Sequence, residues 1–122
     1  MTVRVVVVDD QVPFRRAARS VLDAAAGFQL VGEAASGEEA VALVDSLRPD
    51  LVLMDINMNG LGGIEAARSI NATSPETMTI LVSTYREEDL PLDAHSCGAA
   101  GYLHKSDLGG QALRALWERR AC

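Results

Sequence analysis

Asp9 and Asp10 close the apolar run VRVVVVDD, and Asp55 closes a second one, LVLMD. Two further runs end on Ser83 and Thr84, and on His104 and Lys105. Carboxylates brought together where water is scarce repel one another and lose hydration, so such a cluster needs positive charge among its members. Lys105 is one source of that charge. It is the only lysine in the chain; the other cations are all arginine. An ammonium is a compact point charge on a long stem, suited to a carboxylate or a phosphoryl oxygen. A divalent metal is the other source. Hard oxygen ligands favour Mg2+ (or Mn2+), which takes one or two carboxylates together with phosphate oxygens and keeps some of its waters. Three carboxylates, a hydroxyl and an ammonium in one crevice therefore point to metal-assisted phosphoryl chemistry.

The elements that would bring these residues together are legible in the pattern. Five short apolar runs, 3–8, 28–34, 50–54, 78–82 and 100–103, are continuous rather than alternating, which is how strands covered on both faces read. Helical patterns fall between and after them, at 13–27, 36–49, 62–72, 87–98 and 106–120. In the first, Phe14, Ala17, Ala18, Val21 and Leu22 form an apolar stripe, and Arg15, Arg16 and Arg19 read as a solvated face. Pro13 suits its first turn and Gly27 its stop. The second opens on Ser36 with Glu39 three residues on, a capping-box spacing. The fourth contains Pro91, so it should start late, near Asp89, or be irregular.

Alternating strands and helices specify an α/β fold: a doubly wound, five-stranded parallel sheet with five helices distributed over both faces. Ligands of such sheets bind beyond the carboxyl ends of the strands, at the switch in strand order. Asp9, Asp10, Asp55, Ser83, Thr84 and Lys105 all fall at that edge.

Bulk properties narrow the function. A chain of 122 residues fits one domain with a single core. A formal net charge of −6 disfavours direct binding to nucleic acid or anionic lipid. No run approaches the length of a membrane span, and the N-terminus lacks the order of a signal peptide. Cys97 and Cys122 make no disulfide framework, which fits a reducing, cytoplasmic setting. His95, Cys97 and His104 lack the paired spacing of a zinc site, and His95 reads as a solvated helix residue. Trp117 reads as packing along a helix edge.

The segments VVDDQ (7–11), LVLMDINM (51–58), GGIEA (62–66), LVST (81–84) and GAAGYLHK (98–105) together resemble the receiver domains of two-component response regulators. The resemblance covers essentially the whole chain. DDQVPFRRA and GAAGYLHKSD are most similar to the NarL/FixJ subfamily, whose members carry a LuxR-type helix-turn-helix output domain. It implies a flavodoxin-like strand order, 2-1-3-4-5. It also implies that Asp55 accepts a phosphoryl group from a sensor histidine kinase, and that Asp10, Asp55 and the Asn57 carbonyl hold Mg2+ with Asp9 beside them. Ser83 would sense the phosphoryl group, with Thr84 as an accessory, Tyr102 would move with it, and Lys105 would contact the phosphoryl oxygens. The implied partners are the kinase, an output domain that regulates transcription in a longer chain, and a second copy of the chain as a homodimer. The chain itself reads as one receiver domain, 1–122, either a stand-alone receiver or, the favoured reading, an excerpt of such a regulator.

Asn59, Gly62 and Ser106 depart from the family pattern, standing where proline, an acidic residue and a proline after a cis bond are usual. They touch loop geometry and phosphoryl lifetime, not the reacting groups. Because a cis bond before a non-proline residue costs roughly 2.5–4 kcal/mol, Lys105–Ser106 should be trans. Two rival functions remain in view. One is an aspartyl-phosphate phosphatase, against which the adjacency of Asp9 and Asp10 counts, since such enzymes resemble an Asp-x-Asp arrangement. The other is a receiver-like interaction module that acts without phosphorylation, against which the intact Asp10, Asp55 and Lys105 count.

Overall fold

The computed structural model describes residues 2–58 and 60–119. Five strands, β1 (Val3–Val8), β2 (Phe28–Ala34), β3 (Leu51–Asp55), β4 (Met78–Ser83) and β5 (Gly101–His104), form one sheet in the order β2-β1-β3-β4-β5. Every neighbouring pair is parallel. Among the described residues four α-helices accompany it: α1 (Val12–Ala24), α2 (Gly37–Leu47), α3 (Gly63–Thr73) and α4 (Gly110–Arg119).

Why the valine run of β1 is continuous is visible in what each side chain meets. Val6 and Val8 enter a core with Ala40, Val44, Ala66 and Ile70 of α2 and α3. Val5 and Val7 point the other way, into a core with Ala18 and Leu22 of α1 and Leu113 of α4. Successive side chains of a strand alternate between faces, so a central strand needs apolar residues at every position. Complete burial of each valine contributes roughly 1.5–3 kcal/mol to holding this strand in register.

Local signals behave as their chemistry dictates. Ser36 Oγ accepts the Glu39 N–H at 3.1 Å, and the Glu39 carboxylate reaches back to the Ala35 N–H at 3.1 Å. Pro13 sits in the first turn of α1, and Gly27, with φ 89°, turns the chain into β2. Among the described residues every peptide bond is trans, Lys105–Ser106 included.

Four expectations need correction. The segment 87–98 has the irregularity that Pro91 foretold, but none of it is α-helix: it forms two short 3-10 turns, Glu87–Asp89 and Leu92–His95, separated by Pro91. Leu90, Ala94 and Cys97 are buried at helical spacing, but Pro91 lacks an N–H and would clash with the preceding turn of a continuous helix. His95 is exposed, as expected, but in a 3-10 turn. The described part of the helix expected at 106–120 divides between a 3-10 turn, Lys105–Asp107, and α4, and Arg120 lies outside the described residues. Ala17 lies exposed, outside the apolar stripe of α1. Trp117 packs against the core shared by α1 and α4. Asn59 and Cys122 lie outside the described residues.

Candidate functional site

Strand register does most of the positioning. Val8 pairs with Met54, so Asp9 and Asp10 leave β1 beside Asp55, the last residue of β3. Asp55 pairs with Val82, one residue before Ser83, and Ser83 pairs with His104, one residue before Lys105. Six of the residues singled out in the sequence thus gather at one edge. Carboxylate oxygens of Asp9, Asp10 and Asp55 lie within 4.8 Å of one another, the only such metal-capable cluster among the described residues.

Lys105 is the cation among these carboxylates. Its Nζ lies 2.6 Å from Asp9 Oδ2 and 3.6 Å from Asp55 Oδ1, and 4.7 Å from the centre of the Phe14 ring. Asp9 is fully buried, and its other oxygen accepts the Gln11 N–H at 2.8 Å. Burial pushes the Asp55 carboxyl up to about 6 from 3.8, and the charge of Asp9 adds to this; Lys105 and the Asn57 N–H, which donates to the carboxylate, oppose it. Burial lowers the Lys105 ammonium, yet the hydrogen bond it donates to Asp9 and the charges of Asp55 and Asp9 outweigh that, and its net shift is upward. One ammonium does not balance three carboxylates. The donor set, all hard oxygens and short of positive charge, fits a divalent cation.

Asp10 is half-buried and lines an open pocket of about 420 Å3 with Ile56, Asn57, Met58 and Gly62. Asn57 is therefore beside the cluster. Gly63 was not singled out alone and is indispensable to the geometry: a Cβ there would lie 1.9 Å from the Asp55 carbonyl oxygen. Gly62 is different, since its Cβ would meet only the Ile56 oxygen at 3.7 Å. Gly63→Ala should therefore destabilise the protein by at least about 2–3 kcal/mol in urea denaturation, whereas Gly62→Ala should be nearly neutral. Equal midpoints for the two variants would contradict the close approach of α3 to Asp55.

Ser83 is buried and already engaged. Its Oγ accepts the Tyr85 N–H at 3.0 Å and lies 3.0 Å from the Tyr102 hydroxyl. That hydroxyl also meets the carbonyls of Ser83, at 3.2 Å, and of Tyr85. A carbonyl only accepts and Tyr102 has one proton, so Tyr102 donates to a carbonyl and Ser83 donates to Tyr102. Thr84 is exposed and offers its carbonyl to the His104 ring at 2.9 Å.

Arg15 overturns its reading as part of a solvated face. Its guanidinium donates to the Asp9 carbonyl at 2.6 Å and to Glu33 at 3.2 Å, so it pins the backbone of the acidic pair. Arg19 pairs with Glu33 as well, and Arg16 is exposed. Phe14 was read as core and does pack there, but it also faces the ammonium of Lys105. An aromatic in the first turn after an acidic pair was the available signal for it.

Comparison with known proteins agrees with this geometry. Residues 5–116 match the response regulator receiver domain family. The response regulator GacA of Pseudomonas viridiflava is 40% identical over 114 residues, 93% of this chain and 53% of that protein. The response regulator UvrY of Escherichia coli K12 is 36% identical, over 93% of this chain and 52% of that protein. The chain thus spans about half the length of these relatives. Among solved structures, a LuxR-family two-component response regulator from Aurantimonas superposes with a TM-score of 0.88 at 31% identity, covering 99% of this chain and 86% of that one. The response regulator domain of Thermotoga maritima CheB does so with a TM-score of 0.82 at 32% identity, covering 98% and 93%. With its acidic cluster, its lysine and its sheet order, the chain belongs to the response regulator receiver domains, the phosphorylation-switched signalling modules of two-component systems.

Proposed function

We propose that Asp55 is the phosphoacceptor of this chain, taking the group from the phosphohistidine of a sensor kinase in the cytoplasm and passing the signal to an output that regulates transcription. The observation that carries the proposal is the ammonium of Lys105 held between Asp9 and Asp55 at the end of the sheet. Its parts act by positioning and charge, which is most of what phosphoryl transfer requires. An Asp55 oxygen forms the new bond to phosphorus as the bond to the imidazole nitrogen breaks, and the imidazole leaves with the electron pair. Lys105, within reach of the same carboxylate, meets the charge that gathers on the phosphoryl oxygens. Asp9 holds Lys105 in place, and Arg15 holds Asp9. Asp10, Asp55 and the Asn57 carbonyl would hold Mg2+, which supplies further positive charge to those oxygens. Small phosphodonors would serve the same residues slowly, so the chain catalyses its own modification without turning over a metabolite. The partners of this reading are the kinase, an output domain in a longer chain and a second copy of the receiver.

Metal binding has a direct readout. A ligand that binds only the folded state raises the melting temperature, so Mg2+ or Mn2+ should stabilise the protein and Asp10→Ala should erase the shift. A melting temperature indifferent to saturating Mg2+ would contradict the metal assignment.

The switch follows from the proton count at Ser83. To donate to a phosphoryl oxygen, Ser83 must release Tyr102, which frees Tyr102 to reorient beside the turns at 87–95. That segment has little regular hydrogen bonding, as a mobile element should. The reading is tested by hydrogen exchange on the free and the beryllofluoride-bound protein. Protection should change across 84–106 as well as around 9–11 and 55–60. Changes confined to the latter two regions would contradict this route, and no change anywhere would contradict phosphoryl binding at Asp55.

A further inference from the structure

His104 ends β5 and immediately precedes Lys105. His104 is half-buried: its Nε2 lies 2.9 Å from the Thr84 carbonyl oxygen, and its Nδ1 accepts the Ser106 N–H at 3.1 Å, with Ser106 Oγ sharing the same lone pair at 2.8 Å. Those partners fix the ring's proton. The Thr84 carbonyl can only accept, so Nε2 carries the hydrogen; the Ser106 N–H can only donate, so Nδ1 offers its lone pair. A neutral imidazole in one tautomer therefore bridges two segments of the site.

The two ends of the bridge matter. Thr84 follows Ser83 directly. Ser106 belongs to the 3-10 turn Lys105–Asp107, which His104 caps. The ring thus ties the end of β4, where Ser83 sits, to the backbone that launches Lys105. Lys105 must reach Asp9 at 2.6 Å and Asp55 at 3.6 Å from a stem with several rotatable bonds, so its aim depends on where that backbone is held. No backbone hydrogen bond joins Thr84 to the Lys105–Asp107 turn among the described residues, whereas the imidazole spans them.

We propose that His104 is a positioning residue for phosphoryl transfer, fixing the spacing of Ser83 and Lys105 by bridging Thr84 and Ser106 through the neutral Nε2–H tautomer. The inference rests on the reading of Asp55 as phosphoacceptor. His104 touches neither the carboxylates nor the metal site, so its loss should slow transfer without weakening metal binding. Misplacing a catalytic group by about 1 Å can cost up to about a hundredfold in rate.

The test uses the wild-type chain with His104→Ala and His104→Asn, each treated with acetyl phosphate at saturating Mg2+ and followed by intact mass. Mg2+ affinity and melting temperature are measured alongside. His104→Ala should take up the phosphoryl group about tenfold more slowly or worse, with Mg2+ affinity within about twofold of wild type. His104→Asn should recover part of the rate, because its amide oxygen can accept the Ser106 N–H although it cannot reach Thr84. If His104→Ala does not fold, an intermediate rate for His104→Asn carries the same support. Wild-type rates in the folded variants, with only the melting temperature lowered, would overturn the positioning role. A wild-type chain that gains no phosphoryl group would instead overturn the Asp55 reading, and the role of His104 with it.

Discussion

Lys105→Ala is expected to cost on the order of 3 kcal/mol of stability in metal-free buffer near neutral pH, because it leaves buried carboxylates without their cation. Apart from Lys105, Asp9 Oδ2 has no partner among the described residues, and Asp9 is fully buried. The raised ammonium of Lys105 sets the pH window. A cation whose affinity for its proton rises on folding stabilises the fold at every pH below its unfolded value, and that contribution is lost only as pH climbs through the folded value. The penalty for losing Lys105 should therefore be present across the neutral range. Urea denaturation should show the midpoint falling without a change in slope, and Mg2+ should restore part of the loss by supplying charge to the same oxygens. An unchanged midpoint in chelator would mean that Lys105 does not compensate these carboxylates.

Asp55→Asn should act in the opposite direction. The Asp55 carboxyl stands at about 6 in the folded protein against 3.8 ordinarily, driven first by burial and then by Asp9. A carboxyl that holds its proton more tightly when folded favours folding where it is protonated, and the advantage is lost as pH rises between those two values. At neutral pH the ionised, buried Asp55 is thus a liability to the metal-free fold, of about 2 kcal/mol for a carboxyl raised from 3.8 to about 6 in surroundings that relax around the charge. Asp55→Asn removes the charge and keeps an acceptor for the Asn57 N–H. The variant and the wild type should be nearly equal in stability at about pH 4 and diverge up to about pH 7, with the variant melting several degrees higher. Saturating Mg2+ should close that gap. A variant less stable than wild type at neutral pH without metal would contradict the electrostatic account of the cluster.

The parts of the molecule that the sequence made legible are those set by local pattern. A strand buried on both faces must be apolar at each position, so the valines of β1 and the run ending on Asp55 marked the central strands and the strand ends together. Strand order followed from the family resemblance, not from the periodicity. What was not legible depends on partners distant in sequence. Leu90, Ala94 and Cys97 keep a helical spacing whether the backbone is α or 3-10, and Pro91 decides between them. Arg15 looks like any surface arginine until Glu33 and the Asp9 carbonyl are known to face it. Phe14 fits an apolar stripe, and only the fold brings Lys105 over its ring. His104 stands inside the segment GAAGYLHK with no role of its own legible there; its two bridging partners, Thr84 and Ser106, are set by strand pairing and by the turn after Lys105.

Intact mass spectrometry after incubation with acetyl phosphate tests the central claim most directly. With Mg2+ the wild-type chain should gain the mass of one phosphoryl group, and without Mg2+ or as Asp55→Asn it should gain none. A phosphoryl group that persists in folded Asp55→Asn, or a folded wild-type chain that gains none with Mg2+ present, would contradict the account.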